Sequence, residues 1–180
     1  MNQTIEKMLV HASVRDFKAE PLPAQTKDLL LKAAQSGASS NFIQAYSIIE
    51  VADVNLRCEI AKISGSDAYV NQTGVFYGFV ADWYRQAQIL RAENKDVKAL
   101  RNMEALTVAI VDTTIAAQNM TVAAESMGLG ICYIGGIRND TSKVTELLNL
   151  PELTLPLFGL TIGLPGGRRG GGARLRGANC

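Results

Sequence analysis

The sequence predicts a mixed fold of helices and strands, α+β or α/β, and three observations predict it. Strand-like runs alternate with stretches of helical period along the chain. Helices outnumber strands. The length of 180 residues suits one such domain with a substantial core. Apolar residues make up 47% and charged residues 19%, an ordinary globular composition. The net charge of +1 gives no field for nucleic acid or a membrane surface.

The elements follow in order. Asn2–Val10 is a short helix with Ile5, Met8 and Leu9 on one side. Pro23 opens a second helix through about Gln35, with Leu29, Leu30, Ala33 and Ala34 as its apolar stripe. Gly37 ends it, and Ala38–Gln44 is a polar loop. Tyr46–Val51 is a strand, Val54–Ile63 a helix broken by Ser64-Gly65-Ser66, and Val75–Ala81 a buried strand rich in aromatic and β-branched residues. Lys98–Met127 is a long helix, apolar nearly all round, ending at Gly128. Such a helix must be covered on every side, which points to a core shared with a second subunit. Its polar residues Asp112 and Gln118 then fit hydrogen-bonding roles at that interface rather than acid catalysis. Ile131–Ile134 is a short strand leading to Gly135-Gly136, Asp140 or Thr141 caps a helix through Leu148, and Leu155–Ile162 is a last strand with Pro156 at its start.

The end of the chain differs. Residues 166–180 hold six glycines and four arginines, and residues 1–165 without them carry 14 − 17 = −3. Two units are therefore expected: a folded domain over 1–165 and a Gly/Arg-rich, disordered tail over 166–180. The tail fits either a flexible basic extension or the product of a frameshift or truncation. The opening residues lack a basic run followed by an apolar one, so no signal peptide is expected, and the most apolar stretch, Leu106–Ala124, is interrupted by Asp112, Gln118 and Asn119, so no membrane span is expected. Three scattered cysteines and one histidine build no zinc cluster, and a reducing cytoplasm is the simplest compartment.

The Rossmann glycine fingerprint, the P-loop and the nucleophile elbow are all missing from the sequence. What remains is polar and glycine residues at element ends: His11, Ser13 and Arg15 after the first helix; Ser39, Ser40, Asn41, Phe42 and Gln44 after the second; Tyr133, Ile134, Gly135 and Gly136 after a strand. Such residues suit a phosphate and a planar ligand, because arginine and serine bind phosphate oxygens and glycine allows close approach. Taken singly, each has a plainer use: His11 as a helix C-cap, Arg15 as a surface cation, Gly135-Gly136 as a turn. Cys132 fits a small core residue and Cys58 a semi-buried one.

In combination and in order, "HASVRDFKAEPL", "SSNFIQAYSII", "VDTTIAAQNMTVAAESMGLG", "ICYIGGIRND" and "LPLFGLTIGLP" carry a resemblance. The sequence resembles the nitroreductase family of flavin enzymes, most of all its oxygen-insensitive NADPH nitroreductase and NADPH:flavin oxidoreductase branch, over roughly residues 4–165. The resemblance implies an α+β fold with a central, mostly antiparallel sheet flanked by helices. It also implies a homodimer with the long helix at the interface and one FMN at each of two sites built across it. Implied for FMN are His11 and Ser13 near the phosphate, Arg15 near the pyrimidine side of the ring, and Ser39, Ser40 and Gln44 flanking the flavin. Tyr133, Ile134, Gly135 and Gly136 would lie over its face, and Arg174 would serve as a phosphate clamp. Ala12 stands where the family has arginine, Gly172 where it has lysine, and Asp67 where relatives carry glutamine. The implied reaction passes hydride from NADPH or NADH through FMN to nitroaromatics, quinones or free flavin, small-molecule electron acceptors that use the same face. A flavin-binding protein without turnover and an inactive truncated product are the two alternatives.

Overall fold

The computed structural model describes residues 2–167. Seven helices and four strands follow in the order α1 (Gln3–Leu9), α2 (Ala24–Gln35), β1 (Tyr46–Glu50), α3 (Val54–Ser64), α4 (Asp67–Val70), β2 (Val75–Asp82), α5 (Tyr84–Ala92), α6 (Met103–Ser126), β3 (Gly130–Ile134), α7 (Thr141–Leu147) and β4 (Thr154–Gly163). The strands form one sheet in the order β1-β2-β4-β3, antiparallel at every pairing. Helices and an antiparallel sheet make the fold α+β.

The core lies on both faces of the sheet, which is why β2 reads as an unbroken apolar run. Phe76, Tyr77 and Phe79 are each 1% exposed or less, and burying each contributes roughly 1.5–3 kcal/mol. One face packs Leu30 and Ala34 of α2 and Ala116, Ala117 and Met120 of α6 against Tyr77, Phe79 and Leu160. The other packs Ile60 and Ala61 of α3 and Val144 of α7 against Phe76 and Ile134.

Local chemistry sets the ends of the elements. Asn2 caps α1 through the Thr4 N–H, Asp53 caps α3 through Leu56, and Asp140 caps α7 through Lys143. The long helix begins five residues later than its composition suggests. Lys98–Arg101 is a separate 3₁₀ turn, and the Asn102 side chain accepts the Ala105 N–H at 2.8 Å to start α6. Gly128, at φ 80°, ends α6. Its N–H bonds the Glu125 carbonyl while Leu129 N–H reaches Ala124, the paired bonds that reverse a chain after a helix. β3 therefore starts directly beside the last turn of α6.

Pro156 lies inside a central strand, where proline is tolerated at an irregularity. The β2–β4 register slips between Phe79 and Val80, so Val80 faces Pro156 and Leu157 is the extra residue. Two helices lack a clear sequence signal: α4 is a single turn, and the nine residues of α5 bury only Ala87.

Among the described residues, nothing covers α6 all round. Met103 (73%), Val111 (49%) and Ile110 (39%) are exposed on it. Ile115 is half-buried, with its Cγ2 3.0 Å from where a side chain at Gly37 would begin. Asp112 corrects the interface reading, being 1% exposed and bonded within its own chain. Among the described residues no helix is long and apolar enough to cross a membrane.

Candidate active site

The segment after α1 is laid against β3. Val14 N–H donates to the Ile131 carbonyl at 2.8 Å, and Val14 occupies the space above Gly130, where a β-carbon would come within 2.7 Å of it. Farther along, Lys18 N–H bonds Leu164, Gly166 N–H bonds Asp16, and Phe17 pairs with Pro165, so the chain leaving β4 runs alongside the same segment.

This docking sets out His11, Ser13 and Arg15. His11 and Ser13 line a cleft of about 130 Å³ together with Lys7, Ala12, Glu125 and Pro165. The His11 ring does not cap α1; its Nδ1 lies 2.5 Å from Oε1 of Glu125 on α6. Arg15 is exposed. Burial pushes the Cys132 thiol up, against the opposing pull of the Arg15 charge and a hydrogen bond from Ser13, so Ser13 and Arg15 both reach the β3 edge.

The strand-end loop leaves the far end of β3. Tyr133 directs its phenol back to α6, accepting from the Thr121 hydroxyl at 3.0 Å and donating to Gln118 at 3.4 Å. Burial raises its pKa above the usual tyrosine value, Thr121 lowers it and the Glu125 charge adds to the rise. The ring packs edge-on against Phe158 at 5.3 Å. Tyr133 therefore offers a ligand a ring rather than a free hydroxyl. Gly136 is required by packing, since a β-carbon there would lie 2.4 Å from the Ser64 carbonyl. That contact sets Gly135-Gly136 beside the end of α3, three residues before the exposed Asp67.

Arg138 is a cation that motif reading passed over. A β-carbon at Gly135 would lie 3.3 Å from its guanidinium, which donates to the Leu157 carbonyl freed by the β4 bulge. Its signal was present in the quoted "YIGGIRND".

Ser39, Ser40 and Gln44 form a second, separate group. Their loop is strained: Asn41, Phe42 and Gln44 hold φ of 48°, 56° and 52°, the left-handed region, which costs on the order of 1–3 kcal/mol per non-glycine residue. The surroundings enforce it. Asp112 accepts the Ser40 and Ala45 N–H groups at 3.0 and 3.2 Å. Arg85 donates to the carbonyls of Ile43 and Gln44, Gln86 donates to Ile43, and the Ser39 hydroxyl accepts Gln44 N–H. Phe42 stands 82% exposed on this rigid loop.

α6 measures the gap between the groups. The 13 residues from Asp112 to Glu125 span about 20 Å of helix axis. Within one chain, His11, Ser13 and Arg15 lie along β3, whose far end leads into Tyr133–Gly136, while Ser39, Ser40 and Gln44 lie apart at Asp112 of α6. Arg174 lies outside the described residues. Among those residues no group of His, Cys, Asp and Glu could hold a metal ion.

A family model for nitroreductases matches residues 10–164. The chain belongs to the nitroreductase family. An FMN reductase (NADPH) of Bacillus subtilis is 47% identical over 176 residues, which cover 97% of this chain and 71% of that protein. An oxygen-insensitive NADPH nitroreductase of Salmonella typhimurium is 43% identical over 165 residues, 92% of this chain and 67% of that protein. The solved NfrA1 of Bacillus megaterium superposes with a TM-score of 0.93 at 44% identity, over 97% of this chain and 71% of that one. The chain thus spans about 70% of the length of these nitroreductase-family relatives.

Proposed function

We propose that the chain is an FMN-dependent oxidoreductase that takes hydride from NADPH and reduces nitroaromatics, quinones or free flavin. The observation that carries this is a cleft of cationic and hydroxyl donors beside β3, the strand that leads into the glycine pair, in a nitroreductase-family chain whose relatives are named for FMN and NADPH.

The donor set fits FMN. Lys7, His11 and Ser13 share one cleft and provide two nitrogen donors and a hydroxyl for a phosphate. Lys7 supplies a cation in the cleft that Ala12 leaves without an arginine. Arg15, exposed beside that cleft, supplies fixed positive charge where a ring would gather negative charge. Tyr133 offers its ring and the exposed Gly135 lets a ligand approach the backbone, while Ile134 is buried and Gly136 packed on Ser64, so these two could offer only backbone groups. Asp67, at the opening of α4, offers acceptors only while ionised, so it cannot replace an amide donor. Bound FMN supplies the two-electron chemistry, and the protein's part is to bind, orient and polarise it.

Ser39, Ser40 and Gln44 serve the site of a second copy. The 20 Å separation supports this, and so does the apolar stripe Met103, Ile110 and Val111 on α6, which a homodimer would cover. The free thiols Cys58 and Cys132 fit a reducing cytoplasm.

Anaerobic titration of the FMN-loaded protein with NADPH tests the reading. The flavin colour should bleach stoichiometrically and return on adding a quinone or nitroaromatic. A yellow protein that NADPH does not bleach would leave a flavin binder without turnover.

A further inference from the structure

The His11–Glu125 pair fixes more than a ring position. Its side chains are only 18% and 14% exposed, so the contact is shielded from solvent. An ionised carboxylate can only accept, so the hydrogen between them belongs to Nδ1 of His11. That leaves Nε2 as the ring nitrogen available to a ligand. A neutral ring held this way presents a lone pair at Nε2 and repels an anion. A protonated ring presents an N–H and a positive charge.

We propose that Glu125 is a positioning residue that couples anion binding to protonation: His11 takes one proton from solvent onto Nε2 when a phosphate monoester enters the cleft. This rests on the FMN reading above. Among the described residues, the charged groups lining the cleft besides His11 are Lys7 from α1 and Glu125 from α6; Tyr133 of β3 also feels the Glu125 charge. Lys7 attracts the anion and opposes a second cation, and Glu125 offsets that opposition. An amide at position 125 removes the constraint, because it can donate to Nδ1 as readily as accept. The ring is then free to hold its hydrogen on Nε2 and meet the anion while neutral.

The test is calorimetric titration of FMN, and in parallel riboflavin, into apo-protein at about pH 8. There imidazoles are ordinarily neutral and a phosphate monoester is fully ionised. Two buffers of different ionisation enthalpy report proton exchange. Wild-type protein should take up close to one proton per FMN and none per riboflavin. His11 is the only histidine in the chain, so its ¹⁵N resonances are unambiguous: the Nδ1–H tautomer before FMN, the doubly protonated ring after. Glu125→Gln should lose the uptake and bind FMN about tenfold more weakly relative to riboflavin. FMN bound more tightly than riboflavin without proton uptake by the wild-type protein overturns the coupling and leaves the FMN site standing. Undiminished uptake in a folded Glu125→Gln variant overturns the role of Glu125. Equal affinity for FMN and riboflavin overturns both the coupling and the assignment of the cleft to the phosphate. The wild-type measurement needs no variant to fold.

Discussion

Asp112 and Glu125 lie on one face-spanning helix, and each fixes a different half of the candidate site: Asp112 holds the strained loop at Ser40 and Ala45, Glu125 holds the ring of His11. About 20 Å of α6 lies between them, which separates the two halves within the same chain. Several consequences are open to measurement.

Asp112→Ala should destabilise the apo-protein by about 1–3 kcal/mol, because two N–H groups lose their acceptor and the left-handed residues lose a clamp. Each kcal/mol lowers Tm by roughly 2–4 °C for a domain of this size. Thermal unfolding checks it, and an unchanged Tm would show that Arg85 and Gln86 hold the loop unaided.

Ile110→Asp and Val111→Asp should yield folded monomers, since both residues are exposed on α6 and the charge meets water once the partner leaves. Ile115→Asp should instead lower the stability of the chain itself, because half-buried Ile115 lies against Gly37. Sedimentation velocity with circular dichroism distinguishes the outcomes, and a dimer surviving both exposed substitutions would place the interface elsewhere.

Asp67→Gln should tighten FMN binding. It replaces an acceptor-only group by one that can donate, a gain of about 0.5–1.5 kcal/mol or roughly two- to tenfold in Kd. Fluorescence titration reads it directly. Weaker binding would mean that the carboxylate itself contacts the ligand.

Burial raises the Cys132 thiol, so less thiolate exists near neutral pH and alkylation should be slow. Iodoacetamide at about pH 8 should label Cys58, which is partly exposed, well before Cys132. Peptide mapping over time checks the order, and equal rates would show that the β3 edge opens readily.

Much of this was legible in the sequence. Period and β-branched runs located α2, α3 and all four strands within a residue or two. Asp140, Gly37 and Gly128 marked ends where they stand. Short elements escaped because α4 has one turn and α5 buries a single alanine, too little to leave a periodic trace. The all-round apolarity of α6 pointed to a cover, yet could not tell half-buried Ile115 from exposed Ile110. The polar groups behind the site were the least legible. Asp112 looked like an interface residue because its partners, two backbone N–H groups more than 60 positions away, leave no mark in composition. Glu125 is 114 positions from His11 and becomes its partner only when Gly128 turns the chain back.

The central claim is that each site draws on two copies of the chain, and mixed dimers test it most directly. One chain carries His11→Ala with Arg15→Ala. The other carries Ser40→Trp, a bulky residue at an exposed position that the fold accommodates and a neighbouring site would not. Each homodimer should bind almost no FMN. The purified heterodimer unites one intact half from each chain and should bind one FMN per dimer, measured by flavin absorbance against protein concentration. A heterodimer as empty as the two parents would contradict the account, because it would place both loops at a site within a single chain.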